Sequence, residues 1–405
     1  MRIHDISLAA RGRWHTLSAA IIAGWILVGL GLLIASSLGA PVVWWDIIHP
    51  FTIGALTTAI IVFSTHFTEA LTRTAGGDYR GVGSRVALVQ IGLILLLIDR
   101  AGYDWGPLAD VASTLIIAAL AWHLWFVARR LRGSLSGSFA VTVPFYIAAS
   151  VFMIVSVVLV ILSGNRVGEY SLLIGAHSRG MVWGFAWLTV IGTVVTLLPT
   201  LSATAISSTA RARCTRALIV HCVGLGCAMA LYAVGLTRAA GVAQLLVVLA
   251  ALLIIQPVLA TVMGRSPRLT TATVAVIAGL LWMLALCAGD AISAAVGAYP
   301  RTITLVVLPA FLGAGLLQLV TGVLHHLLPI LTGARPNTAE RTGYARLLLI
   351  NVGGLLSLLD ATAAGLIMMG IGIAANIFAV GRALYLQKRL ENYCLLYTSD
   401  AADDM

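Results

Sequence analysis

Charged residues are scarce in this chain of 405 residues. Asp, Glu, Lys and Arg make up 10% of the sequence, whereas soluble domains carry about 25%. Hydrophobic residues make up 60%, and the mean hydropathy is +1.01. This composition excludes an ordinary water-soluble domain and indicates a protein whose surface faces lipid.

Motifs that carry soluble enzyme chemistry are also missing. The five cysteines form neither a C-x-x-C pair nor a spacing typical of metal ligands. The sequence has no Walker motif, no Gly-rich phosphate loop and no nucleophile elbow. The connections between apolar segments are short, so any chemistry must take place in the membrane, at its surface or on a partner.

Long apolar runs fill the chain instead, and each is long enough to cross the ~30 Å hydrocarbon core as a helix. The sequence therefore predicts an all-α fold, a polytopic membrane helix bundle of about twelve transmembrane helices. The predicted helices are 17–38, 47–71, 84–99, 108–128, 139–163, 174–199, 217–236, 242–263, 270–289, 302–331, 346–360 and 363–386. The division between the last two predicted helices, 346–360 and 363–386, depends on a turn at Asp360. No clear internal repeat appears in the sequence.

The basic residues predict the topology. With twelve helices, the loops assigned to the cytoplasm hold 20 of the 25 Lys and Arg residues. The other five are Arg100, Arg166, Arg179, Arg238 and Arg301. Such a bias predicts that both termini are cytoplasmic. The basic residues are divided among loops rather than gathered on one face, which argues against nucleic-acid binding.

The two ends of the chain receive separate interpretations. Residues 1–16 are predicted to be a cytoplasmic segment and residues 17–390 the membrane bundle, with a first helix that is retained rather than cleaved as a signal peptide. Residues 394–404 resemble a translated sequencing adapter, because TGT CTC TTA TAC ACA TCT GAC GCT GCC GAC encodes CLLYTSDAAD in frame. We therefore expect the reading frame to be truncated. Whether the truncation removed a further domain stays open.

Histidines within the predicted helices are the main chemical signal. An imidazole in hydrocarbon needs a partner, often a metal or a haem. On the predicted topology two histidines lie toward the outer ends of helices and five toward the inner ends. The outer ones are His49 and His177, and the inner ones are His66, His123, His221, His325 and His326.

Depth in the membrane suggests how these histidines pair. His66 and His123 lie seven and six residues before cytoplasmic arginines, so we predict that they bind one haem b, as one histidine from each of two helices commonly does. His49 and His177 would bind a second haem near the outer face. His221 and the pair His325–His326 are candidates for an inner copper or iron site.

Simpler interpretations stay open for the polar residues of the helices. Each histidine could instead bond to backbone carbonyls, hydroxyls or headgroups, and His15 is assigned to the N-terminal segment and regarded as uninvolved. Arg179 would contact a lipid phosphate or a haem propionate. Asp290 falls at a helix end, where a solvated cap or loop ion pair is expected, and Asp360 would lie in a turn or on a proton or cation pathway.

Several stretches resemble a known family. Residues 49–67, 121–123, 192–200 and 327–333, together with His177, resemble a membrane domain of high-GC Gram-positive bacteria that often precedes a copper oxidase or copper nitrite reductase domain. The resemblance implies a multi-pass protein of the bacterial plasma membrane, associated with copper or nitrogen-oxide redox chemistry and with such an oxidase or reductase as a partner. The copper ligands of the fused domains are absent from this chain.

The chain is also distantly similar to haem–copper oxidase subunits and NnrS-type proteins, which have twelve helices with histidines on helices two, six and ten. The seventh helix lacks the histidine pair of that family, so oxygen reduction is not expected.

The resulting prediction is an integral membrane redox protein that binds haem b, copper or both. No catalytic residue is assigned, and whether the protein is an enzyme stays open. The alternatives are a secondary transporter, favoured by kinking prolines such as Pro50, Pro144, Pro257 and Pro309, and a membrane anchor for a partner or a missing copper oxidase domain.

Overall fold

The computed structural model describes residues 8–74, 76, 79–99, 105–134, 139–332, 342–359 and 361–403, with side chains described between residues 10 and 385. Throughout these residues the secondary structure is helical, and no strand is found. The predicted all-α fold is therefore confirmed. Asp360 lies outside the described residues.

Twelve helices follow one another along the chain, and we number them in order. They are α1 (Leu8–Ser37), α2 (Trp44–Thr72), α3 (Tyr79–Asp99), α4 (Pro107–Arg132), α5 (Ala140–Gly164), α6 (Tyr170–Ser202), α7 (Ser208–Ala233), α8 (Thr237–Met263), α9 (Thr271–Ala295), α10 (Pro300–Thr332), α11 (Gly343–Leu358) and α12 (Thr362–Asp403). All except the shorter α11 are long and apolar enough to span a membrane. The protein is thus a multi-pass membrane protein whose outward-facing side chains contact lipid, and the predicted side of its termini stays a prediction.

The first helix begins earlier than predicted. The arginines at positions 11 and 13 suggested a start near residue 17, but α1 already begins at Leu8. His15 therefore belongs to the helix α1 rather than to a separate N-terminal segment, and it is buried.

Three central helices form the core of the bundle. In the most apolar stretch of α2, α6 and α10, 78%, 78% and 72% of the residues are buried, against 50% or less in the other spans. Each central helix contains a π-helical segment, at Pro50–Thr57, Gly180–Trp187 and Phe311–Leu317. Such segments are rare and often occur at functional sites.

These segments reveal an internal repeat that the sequence did not suggest. The α-helical pattern resumes at Thr58, Leu188 and Gln318, each 130 residues after the one before. Within each repeat of four helices, the first helix packs on the π segment of the second, and the third and fourth form a hairpin. The bundle thus consists of three similar four-helix units around the three central helices.

Glycines close the three hairpins. A Cβ on Gly92 would lie 2.9 Å from the carbonyl oxygen of Ala112, and a Cβ on Gly224 would lie 3.1 Å from that of Ala243. In the third repeat a Cβ on Gly353 would lie 2.7 Å from the carbonyl oxygen of Gly365. Small residues at these positions allow the backbones to approach closely, as is common between membrane helices.

Repeat positions can be aligned through these contacts. Gln90 and Asn351 lie two residues before the hairpin glycines Gly92 and Gly353. Each accepts a hydrogen bond from a tryptophan of the first helix of its repeat: Gln90 from Trp25, and Asn351 from Trp282. Gln90 also donates to the Thr58 hydroxyl of the central helix at 2.7 Å, and Asn351 donates to Gln318 at 2.9 Å. The second repeat has Cys222 at this position.

The prolines act differently from one another. Pro50 opens the first π segment, and Pro309 lies just before the third. Because a proline lacks an N–H and crowds the preceding turn, a changed hydrogen-bond pattern is the expected response. Pro144 instead lies in the first α-helical turn of α5, which begins at Val143 after a 3-10 turn, where no N–H partner is required. The α-helix continues through Pro257.

The hairpin contact predicts a position-specific effect of glycine replacement. Gly224→Val should destabilise the protein by about 1–3 kcal/mol, because the new side chain meets Leu246 and the Ala243 carbonyl. Gly226→Val is the matched control in the same helix, since nothing lies within 4 Å of its Cβ position. Thermal unfolding in detergent would measure both, and equal melting temperatures would refute the close approach of α7 and α8.

Candidate functional site

A polar cavity lies among α1, α2, α3 and α4 at the arginine-rich end that the sequence assigns to the cytoplasm. Its volume is about 160 Å³. Its polar and aromatic lining residues are Trp14, His15, Thr65, His66, Glu69, Tyr79, Arg85, Trp122, Phe126 and Arg130. The polar cavity therefore combines imidazoles, cations and aromatic walls inside the first repeat.

Two histidines face each other in the polar cavity. The ring centroids of His15 and His66 are 5.8 Å apart, and the rings are nearly perpendicular. His15 is only 3% exposed, and its Nδ1 has no hydrogen-bond partner. Tyr79 also contacts His15 edge-on and stacks on Trp14 with centroids 5.5 Å apart. A buried ring nitrogen without a partner is a feature that calls for a ligand or a water molecule.

His123, the predicted partner of His66, is bonded elsewhere. Its Nδ1 lies 3.0 Å from Arg85 Nη1 and its Nε2 lies 2.9 Å from Ser64 Oγ. Since a guanidinium only donates, Nδ1 is the acceptor and Nε2–H donates to the Ser64 hydroxyl. Both ring nitrogens of His123 are thus engaged, and no lone pair is left for a metal in this arrangement.

Arg85 is a cation buried in the membrane region, 2% exposed. Besides its bond to His123, it donates from Nε to the Gly81 carbonyl at 3.1 Å and from Nη2 to the Thr65 hydroxyl at 3.4 Å. Its guanidinium also lies over the Phe126 ring, 4.4 Å from the centroid. These contacts hold its charge at the wall of the polar cavity.

Charges around the polar cavity sum to a positive value when its histidines are neutral. Arg130 pairs with Glu69 at 3.5 Å and also lies over Phe126. Arg85 has no carboxylate among its hydrogen-bond partners. One arginine charge is therefore balanced by Glu69, and the other is not.

The repeats show which of these residues the fold itself requires. Seven residues before the hairpin glycines lie Arg85, Ala217 and Arg346. The carbonyl groups that these glycines approach belong to Ala112, Ala243 and Gly365, and the residues eleven positions after them are His123, Ile254 and Asn376. Arg346 donates a hydrogen bond to Asn376 at 2.6 Å, as Arg85 donates to His123. The Arg85–His123 bond thus has a counterpart in the Arg346–Asn376 bond of the third repeat, whereas the second repeat has the buried apolar residues Ala217 and Ile254 at these positions.

Other residues of the polar cavity distinguish the first repeat. The residues 130 and 260 positions after Glu69 are Pro199 and Pro329. Trp25, Phe152 and Trp282 are taken as equivalent positions of the three repeats. His15 lies ten residues before Trp25, and the residues ten positions before Phe152 and Trp282 are Thr142 and Ala272. The same fold forms in the other repeats without these groups, so the repeat architecture itself does not require His15 or Glu69. His66, by contrast, corresponds to Thr196 and His326.

The predicted outer histidines bond to backbone carbonyls. His49 Nδ1 lies 2.7 Å from the Trp45 carbonyl oxygen, with the two rings stacked 4.1 Å apart. His177 Nδ1 lies 2.8 Å from the Ser156 carbonyl oxygen of α5. Each Nδ1–H therefore donates, which leaves Nε2 as the basic nitrogen, the form in which a histidine binds a metal. Whether His49 and His177 share a haem stays a prediction.

The remaining predicted metal ligands lie on two separate helices, His221 on α7 and His325 and His326 on α10. Among the described residues, no group of three or more His, Cys, Asp or Glu side chains is placed to hold a metal ion. His221 is buried and bonds through Nε2 to the Trp183 carbonyl at 3.0 Å, within the second π segment. His325 and His326 are adjacent and half-buried on α10. Metal binding by these three residues thus stays a prediction.

A buried ion pair lies at the opposite end of the bundle. Arg179 and Asp290, 2% and 4% exposed, are joined by a 2.6 Å contact. Trp183 and Gln244 also donate to the Asp290 carboxylate, at 2.6 and 2.8 Å. Arg179 donates to Thr304 at 2.9 Å as well. The expectation that Arg179 contacts a lipid phosphate or a haem propionate is wrong, because α6, α8, α9 and α10 enclose the pair. For Asp290 a solvated cap or a loop ion pair was expected, and it forms an ion pair that lies inside the bundle rather than in a loop.

Comparisons with known proteins provide no family assignment. No protein-family model matches the chain, and no curated protein matches it. The proposal for function therefore depends on the cavities, the internal repeat and the resemblance of the motifs.

The Arg179–Asp290 pair predicts a large loss of stability when one charge is removed. Asp290→Asn should destabilise the protein by about 3–5 kcal/mol, because it leaves a buried guanidinium without its counter-charge. The double replacement Arg179→Met with Asp290→Leu should recover much of this loss. Melting temperatures in detergent would test it, and a stable Asp290→Asn protein would show that the pair is solvated.

The repeat alignment predicts which replacements of His123 are tolerated. His123→Ile alone should lower the melting temperature, because Arg85 loses its acceptor within the membrane. His123→Asn should be nearly neutral, since Asn376 fills this role for Arg346. Arg85→Ala combined with His123→Ile reproduces the Ala–Ile pair of the second repeat and should restore stability. A double variant less stable than His123→Ile would contradict the alignment.

Proposed function

We propose that this protein is a multi-pass membrane redox protein that binds one copper ion between His15 and His66 in the polar cavity. The observation that carries the proposal is the approach of two buried imidazoles across a cavity, one of them with an unpartnered nitrogen. The internal repeat supports it, because His15 has no imidazole counterpart in the other two units. We place the protein in the bacterial plasma membrane, as the motif resemblance implies.

The geometry of the two rings suits a shared metal ion. Metal–imidazole bonds are about 2.0–2.1 Å long, so two rings on one ion have centroids about 5–6 Å apart. The observed separation is 5.8 Å. Imidazole is a suitable ligand for copper. His15 and His66 would therefore hold the ion with little rearrangement.

A haem does not fit the polar cavity. Cofactor pockets usually measure about 300–1,000 Å³, whereas this cavity measures about 160 Å³. His66 and His123 also fail to present a pair of basic nitrogens, because both nitrogens of His123 are bonded. We therefore propose no haem at the inner histidines, and His49 and His177 stay the candidates for haem b.

The charge of the polar cavity favours the lower oxidation state of copper. Arg85 is not balanced by a carboxylate among its bonded partners, and a divalent ion is repelled more strongly than a monovalent one. Bound copper would supply a one-electron redox centre. Arg85, fixed by Gly81 and His123, would raise the reduction potential of that centre. The aromatic walls, including Trp14 and Trp122, would restrict access of water.

A redox partner follows from this assignment. A one-electron centre must exchange its electron with another centre, either a haem at His49 and His177 or a cofactor of a second protein. The motif resemblance suggests a copper oxidase or copper nitrite reductase as that partner.

Copper binding can be tested on the purified full chain. We expect about one copper per chain after incubation with a cuprous salt and removal of loosely bound metal, measured by elemental analysis. His15→Gln and His66→Gln should each abolish it, because two ligands are the minimum for this site. His325→Gln is the matched control, since it replaces a membrane histidine outside the polar cavity.

Two results would contradict the proposal. One is retention of copper by both His15→Gln and His66→Gln, and the other is its loss only in His325→Gln. A reduced-minus-oxidised spectrum of the same samples would detect haem. A haem signal that disappears in His49→Gln would assign it to the outer histidines without affecting the copper measurement.

A further inference from the structure

The polar cavity carries more positive charge than its carboxylate balances. Glu69 pairs with Arg130 at 3.5 Å. Arg85 borders the same cavity. Arg11 on α1 is half-buried and close enough for its charge to act on Tyr79, which also lines the cavity. Among the residues that the structure describes, no ion pair involves Arg11 or Arg85. Two cations thus lie at one cavity without a counter-charge.

Arg85 is the cation for which this imbalance matters most, because only 2% of it is exposed. A buried charge without a counter-charge is costly. The guanidinium donates to Gly81, His123 and Thr65, and all three acceptors are neutral. A guanidinium has five N–H groups, so two of them have no acceptor within the described part of the chain. They are available to a ligand in the polar cavity.

His15 gives a second, independent indication of a ligand. Its ring is 3% exposed and lines the polar cavity, and its Nδ1 has no hydrogen-bond partner. A buried polar atom of this kind calls for a water molecule or an ion. In copper-free protein, an imidazole that carries its proton on Nδ1 donates this N–H to an acceptor. His15 and Arg85 thus offer donors to the same cavity.

Volume and charge together narrow the choice of ligand. The polar cavity measures about 160 Å³, whereas a single water molecule needs about 10–15 Å³. It therefore has room for a halide or a small oxyanion. Water alone would satisfy the N–H groups of Arg85 but would leave its charge unbalanced. An anion satisfies both requirements, because it accepts hydrogen bonds and carries the opposite charge.

We propose that the polar cavity binds one small inorganic anion beside Arg85. The remaining N–H groups of Arg85 donate to it, and the charge of Arg11 attracts it. Anion binding does not require copper, since Arg85 is unbalanced in the copper-free protein. Where copper is bound, the anion offsets the charge of Arg85 and lowers the reduction potential of the centre. Only this last consequence rests on the proposed function.

Thermal unfolding of the copper-free full chain in detergent tests the proposal, with bromide as the probe. Sodium bromide replaces sodium gluconate at constant ionic strength, so that general screening stays the same. We expect the melting temperature to rise with bromide concentration and then to saturate, because a ligand that binds only the folded protein stabilises it by mass action.

The decisive variant combines Arg85→Ala with His123→Ile, which removes the cation and leaves an apolar pair as in the second repeat. Its melting temperature should lose the saturable response to bromide. The matched control combines Arg346→Ala with Asn376→Ile, which removes the equivalent guanidinium of the third repeat, outside the polar cavity. This control should respond to bromide as the parent does.

Arg11→Gln provides a second test that does not alter the buried contact. It should weaken the apparent affinity for bromide about tenfold, because it removes one attracting charge. The proposal is overturned if the melting temperature of the parent does not respond to bromide. It is also overturned if the Arg85→Ala, His123→Ile protein and Arg11→Gln both respond as the parent does. Copper content measured in gluconate buffer tests the copper site separately, so the failure of either proposal is distinguishable from that of the other.

Discussion

Polar groups inside hydrocarbon must find their partners within the protein. This constraint explains how the three units hold together. Each π segment departs from the ordinary helical hydrogen-bond pattern, and each is enclosed by the first helix of its repeat and by neighbouring spans. Polar residues of the third helix in each unit reach the central helix: Gln90 bonds to Thr58, His221 to the Trp183 carbonyl and Asn351 to Gln318. The bundle is thus joined by a few satisfied polar contacts within an apolar interior.

The first repeat adds groups that this architecture does not need. The position of Glu69 holds proline in the other units, and that of His15 holds threonine or alanine. Arg85 belongs to a packing contact present in the third repeat, yet here its guanidinium also borders the polar cavity. A shared framework with one chemically specialised unit accounts for a cavity that holds both an unpartnered imidazole nitrogen and an unbalanced cation. Within the same unit both ring nitrogens of His123 are bonded to protein groups, whereas Nδ1 of His15 is not.

Much of the fold could be predicted from hydropathy, because the length of an apolar run determines whether it crosses a bilayer. The predicted helices 108–128 and 242–263 fall within α4 and α8. The pairing of His66 could not be predicted, since depth in the membrane does not specify which face of a helix a side chain occupies. The burial of His15 could not be predicted either, because the nearby arginines indicate a cytoplasmic segment. The repeat was hidden because equivalent positions, such as Gln90 and Asn351 or Thr72 and Ser202, share chemistry rather than identity.

The hairpin glycines bear on how such a protein enters the membrane. Helices adjacent in sequence emerge together from the ribosome, and the close contact of Gly92, Gly224 and Gly353 with a following helix requires no distant part of the chain. Each hairpin can therefore form as soon as its second helix is synthesised. In the central helices, by contrast, most residues of the most apolar stretch are buried inside the bundle. Biogenesis would then proceed from three local hairpins to a late closure around α2, α6 and α10, with the polar cavity of the first unit formed before the axis of the bundle is complete.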